Sequence, residues 1–180
     1  MLFRSTIQSN GLSAPPYLLC FFMILILTYL SDRLNLRGPF TGGVAAVASV
    51  GFILQATVTN GAVRYFATFL SVQIFCAVAL TLAWTANIHA TESKRAGAYA
   101  MLATLGQCGP LLGTNVFPAS EGPFYHKGMW ISASFCAFVT VLSAALSTIL
   151  ILENKKLARA EAEASEEKPL EHEPGFRYIW

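Results

Sequence analysis

Between Ala14 and Ala90 only Asp32, Arg33, Arg37 and Arg64 carry charge, and all four sit in breaks between long apolar runs. A water-soluble fold cannot cover its surface from such a stretch. The 180-residue chain is 12% charged and 54% hydrophobic, against the roughly 25% charged residues usual in soluble domains. Hydrocarbon about 30 Å thick is crossed by roughly 20 apolar residues in a helix. Five segments approach that length: 14–30, 40–58, 65–89, 96–118 and 129–152. In lipid each backbone polar group must be paired within its own segment, so these read as helices and not strands. Helices of a soluble bundle would keep a polar face, which these spans lack. The expected fold is all-α: a polytopic transmembrane helical bundle. Residues 1–13 read as an extracytoplasmic segment, 14–152 as the five-helix region and 153–180 as a cytoplasmic tail. Pro15 and Pro16 suit the first turn of the first helix, whose amides lack partners anyway.

The basic residues set the topology. Arg33, Arg37, Lys94, Arg95, Lys155, Lys156 and Arg159 collect on one side of the alternating connections, and Arg4, Arg64 and Lys127 on the other. The positive-inside rule therefore places "SDRLNLRG", "TESKRAG" and the C-terminus in the cytoplasm. Seven of the ten acidic residues lie at or after Glu153. That tail is expected to leave the bilayer as a helix to about Lys168 and to be extended or disordered around Pro169 and Pro174. Cys20, Cys76, Cys108 and Cys136 fall in different apolar runs without a CxxC pair, and read as small packing residues rather than a disulfide or metal framework.

Three motifs stand out. In "SDRLNLRG", Asp32, Arg33 and Arg37 form a basic turn in which Asp32 can pair with a neighbouring helix end and latch two helices together. In the third span, Gln73, Ala77, Leu80, Trp84 and Asn87 share one stripe at helical spacing. Gln73, Trp84 and Asn87 are costly to expose to lipid, so the stripe should face protein or a water-filled cavity. Interhelical hydrogen bonding is the plainer role for it. His89 reads as interfacial. In the fourth span, Ala103, Gly106, Gly109, Pro110 and Gly113 form a small-residue face, Pro110 should bend the helix, and Gln107, Thr114 and Asn115 adjoin it. Both a sliding gate and tight static packing fit that face. The second and fifth spans read as scaffold.

No GxxxxGK[ST], HExxH or GxSxG motif is present and no carboxylate lies within a span, so neither an enzyme nor a nucleotide-driven pump is expected. No metal or cofactor is implied. Without a basic stripe interleaved with exposed aromatics, nucleic acid is not an expected partner.

"SAPPY", "SDRLNLRGPF", "RY" opening the third span, "WTANIHATESKRA", "FPASEGPFYHKG", "EN" with the basic residues after it, and "FRYIW" occur in that order. Together they resemble the C-terminal half of a major facilitator superfamily transporter. The pattern is most similar to the fungal allantoate permease-like group of anion:cation symporters. The resemblance implies that the five spans are helices eight to twelve of twelve, with Asp32 and Arg33 as the Asp-Arg pair of the second-half signature loop. It implies a central cavity lined by Gln73, Trp84 and Asn87, with Gln107 and Asn115 as further solute-facing candidates. It also implies that Gly106, Gly109 and Gly113 pack between halves, with Pro110 as a gate element, and that the second and fifth spans are peripheral. The expected activity is uptake of a small organic anion, a ureide or carboxylate vitamin, coupled to H+, in the plasma membrane. Alternating access works between two six-helix halves. Function is thus expected to need a missing N-terminal half or a partner chain beside this one. A five-span remnant or membrane interaction protein without transport of its own is the alternative.

A tag at the C-terminus is expected to be reached by antibody only after cells are permeabilised, with the protein retained in alkali-washed membranes. Labelling of intact cells would reverse the assigned topology.

Overall fold

The computed structural model describes residues 6–163 except 90, 119, 121 and 123, with side chains described from 11 to 159. The expectations for residues 1–5, and for the tail around Pro169 and Pro174, lie outside the described residues. The described chain forms seven helices: α1 (Thr6–Leu34), α2 (Arg37–Thr57), α3 (Gly61–Ser71), α4 (Ile74–Ile88), α5 (Glu92–Gly106), α6 (Cys108–Val116) and α7 (His126–Glu163). Four stretches are long and apolar enough to cross a membrane: Gly11–Leu34, Arg37–Thr57, Gly61–Ile88 and His126–Arg159. The 38 residues of α7, at about 1.5 Å each, reach nearly twice the thickness of a hydrocarbon core. Its last turns therefore continue beyond the bilayer. Large apolar side chains such as Leu18, Phe21, Ile26 and Val141 are more than half exposed, a surface suited to acyl chains and not to water.

The helix that holds the bundle together is α2. Half of its most apolar window is buried inside the protein, against 11% for α1. It packs on α7, α3 and α4. Along α7 the buried residues Ala133, Cys136, Ser143, Ser147 and Leu150, with the half-buried Thr140, recur at alternating steps of three and four. This spacing keeps one seam facing a partner helix. The facing residues of α2 include Gly38, Gly42 and Ser49. Ser143 Oγ donates to the Gly38 carbonyl at 2.7 Å and Ser49 Oγ to the Ala133 carbonyl at 3.0 Å, while the Thr140 hydroxyl is shared between the Cys136 carbonyl of its own helix at 3.0 Å and the Gly42 carbonyl at 3.3 Å. Side chain-to-backbone bonds of this kind form only where small residues let the two backbones come close. A Cβ at Gly38 would overlap Ser147 Oγ and sit 2.9 Å from the Trp84 ring. The second and fifth spans thus form the most extensive helix pair among the described residues.

Two spans read as continuous are broken. At Val72–Gln73 the amides of Gln73, Phe75 and Cys76 bond three residues back, to Leu70, Val72 and Gln73. That tightened turn separates α3 from α4. It deprives the Phe69 carbonyl of the Gln73 amide, and the Gln73 side chain fills the place, Nε2 donating to it at 3.2 Å. The second break, at Gln107, lies three residues before Pro110. Proline has no amide for the Gly106 carbonyl, four residues back, and its ring crowds that carbonyl. The expected fourth span is accordingly two shorter helices, α5 and α6, neither of which has a buried residue.

The chain ends of the elements differ from expectation in one further respect. Helix α1 begins at Thr6 and carries Pro15 and Pro16 in its interior, not in its first turn. At the start of α3, Asn60 accepts from the Ala62 amide at 3.0 Å, the side-chain cap for which asparagine is favoured.

Gly51 and Gly43 test the importance of close approach. A Cβ at Gly51 would lie 2.6 Å from the Ser71 amide nitrogen, whereas one at Gly43 meets nothing within 4 Å. Gly51→Ala is expected to destabilise the detergent-solubilised protein by about 1–3 kcal/mol, and Gly43→Ala to leave it unchanged, in denaturant titrations followed by circular dichroism.

Candidate functional site

Polar side chains gather at the two ends of the bundle. At one end α1 finishes, α2 starts and α4 finishes. Here α1 stops because Asn35 adopts a left-handed conformation, φ 55°, which asparagine tolerates better than most residues. The Asn35 and Leu36 amides bond back to Asp32 and Ser31. This turn swings Arg37, the first residue of α2, over Asp32. The two form an ion pair through Nη2 and Oδ1, with Arg37 buried and Asp32 half exposed.

The guanidinium has a second partner on a different helix. With the Asn87 amide oriented so that its oxygen faces the donors, Oδ1 accepts from Arg37 Nη2 at 3.0 Å and Nε at 3.1 Å. Arg37 therefore joins the α1–α2 turn to the last turn of α4. Electrostatics favour the arrangement from both sides. A cation at the start of α2 is opposed by its own helix dipole, which the Asp32 carboxylate offsets; at the end of α4 the same cation meets unpaired carbonyls and the negative pole. Arginine suits the place because its planar fork presents two donors to one oxygen, and lysine's single ammonium does not.

At the opposite end, α2 and α6 finish and α3 and α7 start. Arg64 Nη2 donates to the Phe124 carbonyl at 3.1 Å, and the guanidinium carbon lies 5.0 Å from the Phe124 ring centre. Phe124 stacks on His126, whose Nδ1 is 2.6 Å from the Ala56 carbonyl. This cluster ties Phe124 and His126 to the ends of α2 and α3 at this side of the bundle.

The other residues singled out from the sequence fall into two groups. Gln73 and Trp84 are buried. Gln73 supports the α3–α4 break and Trp84 packs beside Gly38, so the stripe Gln73–Leu80–Trp84–Asn87 is turned toward α2. Gln107 and Asn115 are exposed, and Asn115 Nδ2 donates back to the Leu111 carbonyl at 3.2 Å. Apart from chain neighbours and the helix's own backbone, no atom lies within 4 Å of a Cβ at Gly106, Gly109 or Gly113, and Pro110 is exposed beside them. That face is open on this chain. Arg33 is exposed and is not brought into the Arg37 cluster. Sequence reasoning missed the role of Ser143 and Thr140, whose only signal was their three-four spacing within a span that is apolar apart from Ser and Thr. It also missed the strap between Arg64 and Phe124, 60 residues apart.

No family model matches the chain, and no solved structure matches it either. Three curated relatives are similar over most of its length. An uncharacterized transporter of Schizosaccharomyces pombe is 29% identical over 152 residues, covering 84% of this chain and 31% of the relative. An MFS-type transporter of Penicillium expansum is 29% identical over 178 residues, covering 95% and 34%. The high-affinity nicotinic acid transporter of Saccharomyces cerevisiae is 27% identical over 153 residues, covering 84% and 29%. The chain thus spans about a third of the length of these relatives. Their names support membrane transport and, at the level of the superfamily, the major facilitator resemblance carried by the motifs.

Asn87→Leu leaves two guanidinium N–H groups without their acceptor and is expected to cost about 1–3 kcal/mol. Arg37→Lys should cost a similar amount, because one ammonium cannot replace the fork. Midpoints of unfolding in detergent measure both; wild-type values would mean that the cluster contributes nothing to the bundle.

Proposed function

We propose that this chain is the C-terminal portion of a secondary transporter of the allantoate permease-like group, and that the whole transporter takes up a small organic anion together with H+. The observation that carries the reading is the Asp32–Arg37–Asn87 cluster, a buried cation shared between an inter-helix turn and the end of a third helix. Such a joint holds one arrangement of the helices and lets go in another, as alternating access requires. The relative named for nicotinic acid directs the choice of solute toward a carboxylate.

The orientation proposed places the Asp32–Arg37–Asn87 end and the C-terminus in the cytoplasm, in the plasma membrane. Seven of the nine basic residues from Arg33 to Arg159 belong to that end, and Arg64 and Lys127 to the other, which supports this by the positive-inside rule. The polar candidates then divide by task. Gln107 and Asn115, on the open edge of α5–α6, face the partner half and the solute path. Gln73, Trp84 and Asn87 shape the wall behind it. Gly106, Gly109 and Gly113, with Pro110 bending the helix, meet the other half.

The test is uptake of labelled nicotinate by yeast lacking its own uptake system, expressing a transporter that carries this chain as its C-terminal part. Uptake is expected to rise with external acidity and to be competed by other small carboxylates. Asp32→Asn should lower it at least tenfold with surface expression unchanged. Uptake unaffected by Asp32→Asn would reduce the cluster to a structural anchor, and failure of every carboxylate to compete would remove the proposed solute class.

A further inference from the structure

The four cysteines are not four isolated packing residues. Cys20 of α1 and Cys76 of α4, 56 positions apart in sequence, are both buried with their sulfurs 3.6 Å apart. Their surroundings aim them at one another and at the α3–α4 break. Cys20 Sγ donates to the Val72 carbonyl at 3.4 Å, and Cys76 Sγ to Gln73 Oε1 at 3.2 Å. Val72 and Gln73 are the two residues of the break itself. Cys20 is also one of only three buried residues among the described side chains of α1, with Pro16 and Ser31. Met23, Ile24 and Leu27, all partly buried, pack against the same cluster.

We infer that Cys20 and Cys76 form a redox modification site, closing to a disulfide that staples α1 to the α3–α4 break. The sulfurs are in van der Waals contact and must approach by about 1.5 Å to reach bonding distance. The apolar setting favours this product over a bound soft metal ion. Metal binding needs two thiolates, and anionic charge within hydrocarbon is costly, whereas thiols and disulfide are both neutral. The oxidant that fits is a lipid-soluble organic hydroperoxide. An apolar cavity of about 490 Å³, lined by Met23, Leu27, Val44 and Gln73 among others, adjoins the pair. In the first step one thiol takes the terminal oxygen of the hydroperoxide. The O–O bond breaks, the thiol becomes a sulfenic acid and the hydroperoxide leaves as its alcohol. The second thiol then displaces water from the sulfenic acid as the S–S bond forms. Two sulfurs are oxidised by one electron each, and the peroxide is reduced by two. This inference is independent of which solute the transporter carries.

The experiment uses the full chain in native membranes, with Cys108→Ala and Cys136→Ala to leave the pair alone. Membranes are treated with tert-butyl hydroperoxide, quenched with N-ethylmaleimide, denatured and mapped by mass spectrometry. The expected result is one intramolecular Cys20–Cys76 cross-linked peptide, with both thiols lost together and both restored by dithiothreitol. Adding Cys20→Ala should leave Cys76 open to alkylation after denaturation. The unsubstituted protein, mapped in parallel, should show the same linkage ahead of any other pairing. Retention of both thiols, cross-links only between chains, or linkages scattered evenly among the four cysteines would overturn the assignment.

Discussion

The close approach of α2 and α7 is the constraint on which the rest of the bundle depends. In a bilayer, burying apolar side chains between helices gains little over leaving them in lipid, so association rests on packing and on hydrogen bonds between helices. Gly38 and Gly42 allow Ser143 and Thr140 to reach backbone carbonyls on the neighbouring helix. Once α2 is held there, its remaining faces take α3 through Gly51 and the Gln55–Ser71 hydrogen bond, and α4 through Trp84 beside Gly38.

The two polar ends secure what this seam sets up. Arg37 binds the α1–α2 turn to the end of α4 at one end. Arg64, Phe124 and His126 tie the start of α7 to α2 and α3 at the other. Outside that frame stand α1, with few buried side chains, and α5–α6, with none.

Much of this was legible in the residues. The spans from Arg37 to Thr57 and from His126 onward follow their apolar runs, and Pro110 marked a bend in the fourth span, which goes further and breaks at Gln107 into α5 and α6. Gln73 was marked as a polar residue to be hidden from lipid, but its use was not. Spacing alone cannot show that its side chain replaces a lost backbone bond at the α3–α4 break. The stripe through Trp84 and Asn87 was found for the same reason, since 100° periodicity is a property of one helix. Which neighbour the stripe faces is a property of two. The role of Thr140 and Ser143 escaped notice because a hydroxyl in an apolar helix bonds its own backbone as readily as a neighbour's, and only proximity distinguishes the cases.

The sequence by itself determined that the chain enters a membrane as helices, and where the charged turns between them lie, because hydrocarbon excludes unpaired backbone and isolated charge whatever the tertiary arrangement. The tertiary structure alone decided that Arg37 meets Asn87, that Cys20 meets Cys76 and that the two plainest spans form the most extensive pair among the described residues. Those outcomes depend on which helix faces come within a few ångströms of each other, and no pattern confined to one helix records that distance.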